Sequence, residues 1–178
     1  LAETMDAVAQ AACEALGGSF AAVLMPEPRE LRLAGAHELP EGLGEVLARG
    51  LPEDTPLLAA AERRRVLAAP TIESDDRFGP DWRALAAQSG VASLLAVPVE
   101  SPKRDGPGLG LVFFAEEQTF SDDEIELANN LAGAARGALE RRAVSTYVYK
   151  GLGFFEADEV QDAVVLLRYL ADPLSNLR

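Results

Sequence analysis

Cysteine, histidine, lysine and positive charge are all scarce in this chain, and each scarcity closes a class of function. A single cysteine, Cys13, permits neither an internal disulfide nor a cysteine-rich metal site. A single histidine, His37, removes most transition-metal sites and every Ser-His-Asp arrangement not centred on it. No nucleophile with its base, phosphate-cradling glycine loop or metal triad can be assembled, so neither catalytic residues nor a cofactor are expected. Lysine is nearly replaced by arginine. The net charge of −13 opposes binding to nucleic-acid backbones or anionic membranes, because both repel such a surface. The longest apolar stretches, such as Val91–Val99, fall far short of a bilayer span. With no basic-then-apolar leader at the start, the expected location is the cytoplasm.

What remains is the composition of a soluble globular domain: 178 residues, 48% hydrophobic and 25% charged. That length can bury a substantial core. The chain opens on Leu1 rather than Met, which fits a piece of a longer protein.

Apolar spacing over Leu1, Met5, Val8, Ala12 and Ala15 predicts an opening helix, stopped by Gly17-Gly18. Ser19–Met25 reads as a buried strand closed by Pro26. Leu31, Leu33 and Gly35 alternate with Arg32, Ala34 and Ala36, predicting a second strand and a hairpin. From Leu39 to Arg65 the pattern turns helical: one short helix over Leu43–Leu47, another capped by Asp54 or Thr55 with Pro56 at its first position. Arg63-Arg64-Arg65 follow at its C-terminal end. Val66–Ala69 reads as a short strand, and Ile72–Arg77 as a solvated acidic loop. A helix with Pro80 near its start carries Trp82, Leu85 and Ala86 on one face and ends at Ser89-Gly90. Val91–Val99 and Leu109–Ala115 form a long-looped hairpin. Pro98 cannot donate to a ladder, so it marks an unpaired side or a bulge. Phe113 and Phe114 point to opposite faces, so both faces of the sheet must be covered.

The strongest local signal lies at the last long helix, expected over Asp122 to about Ala143. Ser121 and Glu124 form a capping box, Phe120 is a staple residue, acids crowd the first turn and arginines the last. Beyond it, 144–178 reads as a C-terminal extension or linker, with an amphipathic helix over Glu156–Ala171. The domain proper is thus expected at 1–143.

Three blocks carry a family resemblance: GVASLLAVPVE (Gly90–Glu100), GLGLVFFA (Gly108–Ala115) and TFSDDEIELANNLAGAARGALE (Thr119–Glu140), with SDDRF (Ser74–Phe78) before them. Their order resembles the GAF domain. The resemblance implies an α+β, GAF/PAS-like fold: a central antiparallel sheet of five to six strands, N- and C-terminal helices on one face, and a pocket-forming helical segment on the other. It also implies a regulatory domain of a bacterial signal-transduction or transcription-control protein, acting on a downstream output domain outside this chain.

The implied pocket lies between the sheet and the segment preceding the hairpin, which makes Phe78, Trp82, Arg83 and Ser93 its candidate residues. Trp82 stacks on a heterocycle or simply fills core. Arg83 offers a cation for an anionic group, and Ser93 either lines the pocket or is a structural strand residue. The Asn-Lys signature of cyclic-nucleotide-binding relatives is missing, as are the cysteine placement of bilin-attaching ones and the several cysteines of the methionine-sulfoxide reductase branch. His37, the one candidate for a haem ligand, falls at a strand end expected to face solvent. Cys13 reads as a small buried hydrophobe.

The terminal helices are the second candidate surface. Ile125, Ala128, Ala132, Ala135 and Leu139 make one stripe, and Leu127, Leu131, Ala134 and Ala138 another. One stripe for the sheet and one for a partner predicts a homodimer through Met5, Val8, Ala12, Ala128, Ala135 and Leu139. The competing expectation is a single broad core face within one monomer, and the competing function is a ligand-free dimerisation module.

Overall fold

The computed structural model describes residues 2–27, 30–51, 55–100 and 106–133. In chain order the elements are α1 (Ala2–Leu16), β1 (Phe20–Pro26), β2 (Leu31–His37), α2 (Glu41–Arg49), α3 (Pro56–Glu62), β3 (Leu67–Ala69), α4 (Pro80–Gln88), β4 (Ser93–Glu100) and β5 (Pro107–Phe114). A helix, α5, follows over residues 122–133. The expected extension at 144–178, together with Ala135 and Leu139, lies outside the described residues. Among the described residues, no helix is long and apolar enough to cross a membrane.

All five strands join one antiparallel sheet in the order β2-β1-β5-β4-β3. Strand parity divides the core in two. Ala22, Leu24, Leu94, Ala96, Leu109, Leu111 and Phe113 meet α2, α3 and α4 on one face. Ala21, Val23, Leu95, Val97, Val112 and Phe114 meet Met5, Ala9 and Cys13 of α1 and Ala128 of α5 on the other. The first and last described helices therefore share a face, as the α+β expectation required.

Three helices stop in the same way. At α1, Gly17 adopts φ 68° and the Gly18 N–H donates to Cys13 O at 2.9 Å. At α4, Gly90 adopts φ 68° and the Val91 N–H reaches Ala86 O at 2.9 Å. At α3 the left-handed position is Arg64, φ 52°, and the Arg65 N–H reaches Ala60 O at 3.0 Å. Each is a six-to-one closure of the Schellman type, which satisfies carbonyls the helix leaves open. The side-chain signals also form as expected. Thr55 caps α3 with Pro56 in its first turn. Ser121 and Glu124 bond reciprocally, with Ser121 N–H to Glu124 Oε2 at 2.7 Å and Glu124 N–H to Ser121 Oγ at 3.3 Å.

β2 departs from its simple alternation. Leu24 pairs with Leu33 and Val23 with Gly35, so Ala34 is an extra residue and the strand changes sides there. Leu31 and Leu33 face the helical layer α2–α4, whereas Gly35 lies under α1. A Cβ at Gly35 would overlap the Met5 backbone and stand 2.6 Å from Asp6 N. The backbones of α1 and β2 are in direct contact, and the Ala36 N–H donates to Asp6 Oδ1 at 2.8 Å.

Pro98 pairs with Leu109 of β5 and lies two residues beyond Ala96, the limit of β3 on β4's other side. No donor is needed there, which is consistent with β3 being only three residues long. Gly108 sits where a Cβ would come 2.6 Å from Leu24 O, so close strand approach requires glycine.

Candidate functional site

The link between β3 and α4 is short and held at several points. Ile72 N–H donates to Ala92 O at 2.9 Å and Phe78 N–H to Asp75 O at 3.1 Å. The Asp75 carboxylate accepts the Arg77 Nε–H at 2.9 Å and the Arg77 backbone N–H at 3.0 Å. The same guanidinium reaches across to Ala68 O of β3 at 2.7 Å. Hydrogen bonding from Arg77 holds the Asp75 carboxyl below the usual carboxylate range, against the opposing effect of burial. Glu73, Ser74, Asp76 and Arg77 are exposed, as expected of a solvated loop, but Asp75 and Arg77 close it as a clasp, and Phe78 after it turns fully into the core.

Phe78 then supports Trp82, with ring centroids 6.3 Å apart and planes 17° from parallel. Gly79 and Pro80 begin α4. Trp82, 8% exposed, forms one wall of a cavity of about 240 Å³. The remaining walls are Val46 of α2, Thr55 and Pro56 at the start of α3, Gly79 just before α4, and Pro80, Asp81 and Leu85 of α4. This hollow opens between three helices. The space beneath them, against the sheet, is occupied by Phe78, Leu94, Leu109 and Phe113, each at most 1% exposed. Phe78 therefore backs the cavity wall rather than lining it.

Arg83 does not line the cavity. Its guanidinium is directed back along the β3–α4 link, where NH1 stands 3.3 Å from Glu73 O, and its Nε is buried without a partner. Among the described residues of the cavity wall there is no cation for an anionic ligand, and the one formally charged residue is the acid Asp81.

Comparison with known proteins gives the family. The sequence profile of the GAF domain matches residues 1–139. The chain belongs to the GAF domain family. Solved structures with the same fold include a domain of a two-component sensor histidine kinase protein from Sinorhizobium meliloti 1021. It has TM-score 0.67 and 18% identity, over 82% of this chain and 94% of that one. The GAF domain/HD domain protein from Geobacter sulfurreducens has TM-score 0.64 and 20% identity, over 80% and 93%. The blue-light-absorbing form of the Thermosynechococcus elongatus PixJ GAF domain has TM-score 0.63 and 15% identity, over 82% and 88%. No curated protein matches the chain.

Within this GAF domain, Ser93 falls away from the cavity. Leu94 and Ala96 take the helical-layer side of β4, so Ser93, with Leu95 and Val97, faces the α1 side. Its buried hydroxyl stands 2.7 Å from both Pro70 O and Glu116 O, sharing one proton between them. It also accepts the Gln118 N–H at 2.8 Å. Ser93 is a tie between the link leaving β3 and the link entering α5. Both faces of β4 are apolar, so alternation could not reveal which side Ser93 takes.

The candidate dimer residues divide similarly. Met5 and Ala128, each 1% exposed, pack on the domain's own sheet and are closed to a partner. Val8 and Ala12 are half-buried beside the same core. Ala11 and Leu131 join α1 to α5 directly. Cys13 is buried in the α1 core, and burial pushes its thiol above the ordinary value. His37 is half-buried at the end of β2. Among the described residues, no group of His, Cys, Asp and Glu could hold a metal ion.

Proposed function

We propose that this GAF domain is a regulatory module of a bacterial signal-transduction or transcription-control protein, working in the cytoplasm without catalysis of its own. A small molecule in the cavity beside Trp82 biases the packing of α1 and α5, and those helices pass the change to an output domain. The observation that carries this reading is the GAF fold itself, with a hollow on the helical layer and both terminal helices gathered on the opposite face. The Ser93 hydroxyl supports a connection between them, because it bonds both the link leading to the cavity helix and the link entering α5. A homodimer would use the outer sides of the terminal helices, Val8 and Ala12 included, since Met5 and Ala128 are taken by the sheet.

A second reading is a scaffold that dimerises without a ligand. The filled space between the sheet and the helical layer favours it. Light scattering of the chain and calorimetry against a metabolite panel separate the two. A dimer with a saturable binder supports the first reading, and a dimer with none the second. A monomer that binds nothing overturns both.

A further inference from the structure

Size, lining and charge of the cavity between α2, α3 and α4 restrict what it accepts. Its volume of about 240 Å³ exceeds the ~150 Å³ of a cavity that takes benzene, but lies below the ~300 Å³ where drug-sized pockets begin. A single ring with a short substituent fits; a nucleotide or a tetrapyrrole does not. Trp82, Pro56, Pro80, Val46 and Leu85 supply flat and aliphatic walls, and the indole is held in place by Phe78 behind it. Aromatic rings stack favourably on such a wall.

Charge favours neither kind of ion. An anionic ring would meet the exposed Asp81 carboxylate, with no basic side chain among the described residues of the cavity wall and a net charge of −13 on the chain. A cationic ring would meet the amino-terminal end of α4, which borders the hollow and carries partial positive charge. These two contributions oppose each other within one small space. Among the described residues, the polar side chains on the wall are Asp81, an exposed acceptor at its edge, and buried Thr55, whose hydroxyl accepts the Leu57 N–H and keeps its proton to donate.

We infer that the cavity binds a small uncharged single-ring aromatic molecule bearing a hydrogen-bond donor, of the phenol class, with its ring against Trp82 and its donor toward Asp81. This rests on the small-molecule reading above and narrows it.

The chain's one tryptophan is Trp82, so its emission reports this cavity alone. The test titrates the full chain with phenol, toluene, cyclohexanol, benzoate and benzylammonium, following Trp82 emission excited at its red edge and calorimetric heat. Phenol is expected to bind saturably and more tightly than the other four. Asp81→Ala should weaken phenol about tenfold or more while leaving toluene unchanged, since a hydrogen bond to a charged acceptor contributes about 1.5–3 kcal/mol. Val46→Phe, which fills the hollow from half-buried α2, should abolish binding of phenol and toluene alike. Circular dichroism of both variants checks that the fold survives. Equal or tighter binding of benzoate, benzylammonium or cyclohexanol overturns the ligand class and leaves a small-molecule sensor standing. An Asp81→Ala chain that binds phenol as well as the parent removes the donor assignment. No response to any probe, with none from the metabolite panel, removes both this inference and the reading beneath it.

Discussion

The two faces of the sheet are built on different principles. On the α1 face the fit is one of backbones: glycine at position 35 admits the Met5 peptide, Gly18 leaves room for Val112, and alanines at 9, 21 and 128 keep the layer thin. On the opposite face the fit is one of bulk: Phe78, Leu43, Leu47, Leu57, Leu94, Leu109 and Phe113 fill the space under three short helices. Where backbones touch, as at Gly35, the thin layer tolerates no added atoms, and the thick one tolerates no missing ones. The first suits helices whose position must be defined closely, and the second suits a wall that can be remodelled on its outer side without opening the sheet.

Substitutions that remove or add atoms should separate the faces. Phe78→Ala is expected to cost most, about 3–5 kcal/mol, because it empties the centre of the thick layer and withdraws the support of Trp82. Denaturant unfolding, with Trp82 emission as a second probe, measures both effects. Gly35→Ala should cost about 2–3 kcal/mol, since α1 must lift from β2 to admit one methyl. Gly110→Ala is its control: a Cβ there meets nothing nearer than 3.7 Å, so a change within about 1 kcal/mol is expected. Similar losses for the two glycine variants would erase the distinction drawn between backbone and bulk.

Ser93→Ala comes next, at about 2 kcal/mol, because Pro70 O, Glu116 O and the Gln118 N–H all lose a partner. Hydrogen exchange at Gln118 should quicken in that variant, and unchanged exchange would disprove the tie. The smallest effect is the acid response of the Asp75–Arg77 clasp. Asp75 is held ionised below its unfolded value near ~3.9, so its contribution is fully present above that pH and fades as pH falls through the lowered folded value. Asp75→Asn should lower stability at neutral pH by that small contribution and leave the acid end nearly as it was, which flattens the acid limb of the curve. An unaltered acid limb would show the clasp to be energetically idle.

Much of this was legible in the residues, and the reason is locality. Helix stops at Gly17 and Gly90, the Thr55-Pro56 start of α3 and the Ser121/Glu124 box are each decided within six residues, and each forms as expected. Pro98 marked a position with no donor to give. The opposite faces of Phe113 and Phe114 followed from strand parity alone.

What escaped depends on neighbours distant in sequence. Parity cannot orient Ser93 in a strand that is apolar on both sides, and its hydroxyl bonds Pro70 O and Glu116 O on the α1 side rather than lining the cavity beside Trp82. The extra residue Ala34, which moves Gly35 to the α1 face, is set by pairing with β1. Arg83 looked like a cation beside an aromatic wall, but its guanidinium is drawn to Glu73 O. Met5 and Ala128 sat on stripes that fitted either a partner or the sheet, and the sheet holds both. No spacing rule distinguished the Asp75–Arg77 clasp from a solvated run of charge. The carboxylate finds its guanidinium two residues on, but the carbonyl that guanidinium also bonds belongs to β3.

The outermost strands meet solvent on terms set by single charged side chains. On β2 the Ala36 amide is occupied by Asp6, and on β3 the Ala68 carbonyl is occupied by Arg77. A foreign strand seeking to zip along either border would have to displace a carboxylate on one side and a guanidinium on the other. Lateral recruitment of this kind is how sheets seed aggregates, and a charge planted at the rim is a recognised deterrent. At high concentration, border-to-border stacking of this sheet would have to strip those two side chains from their backbone partners first.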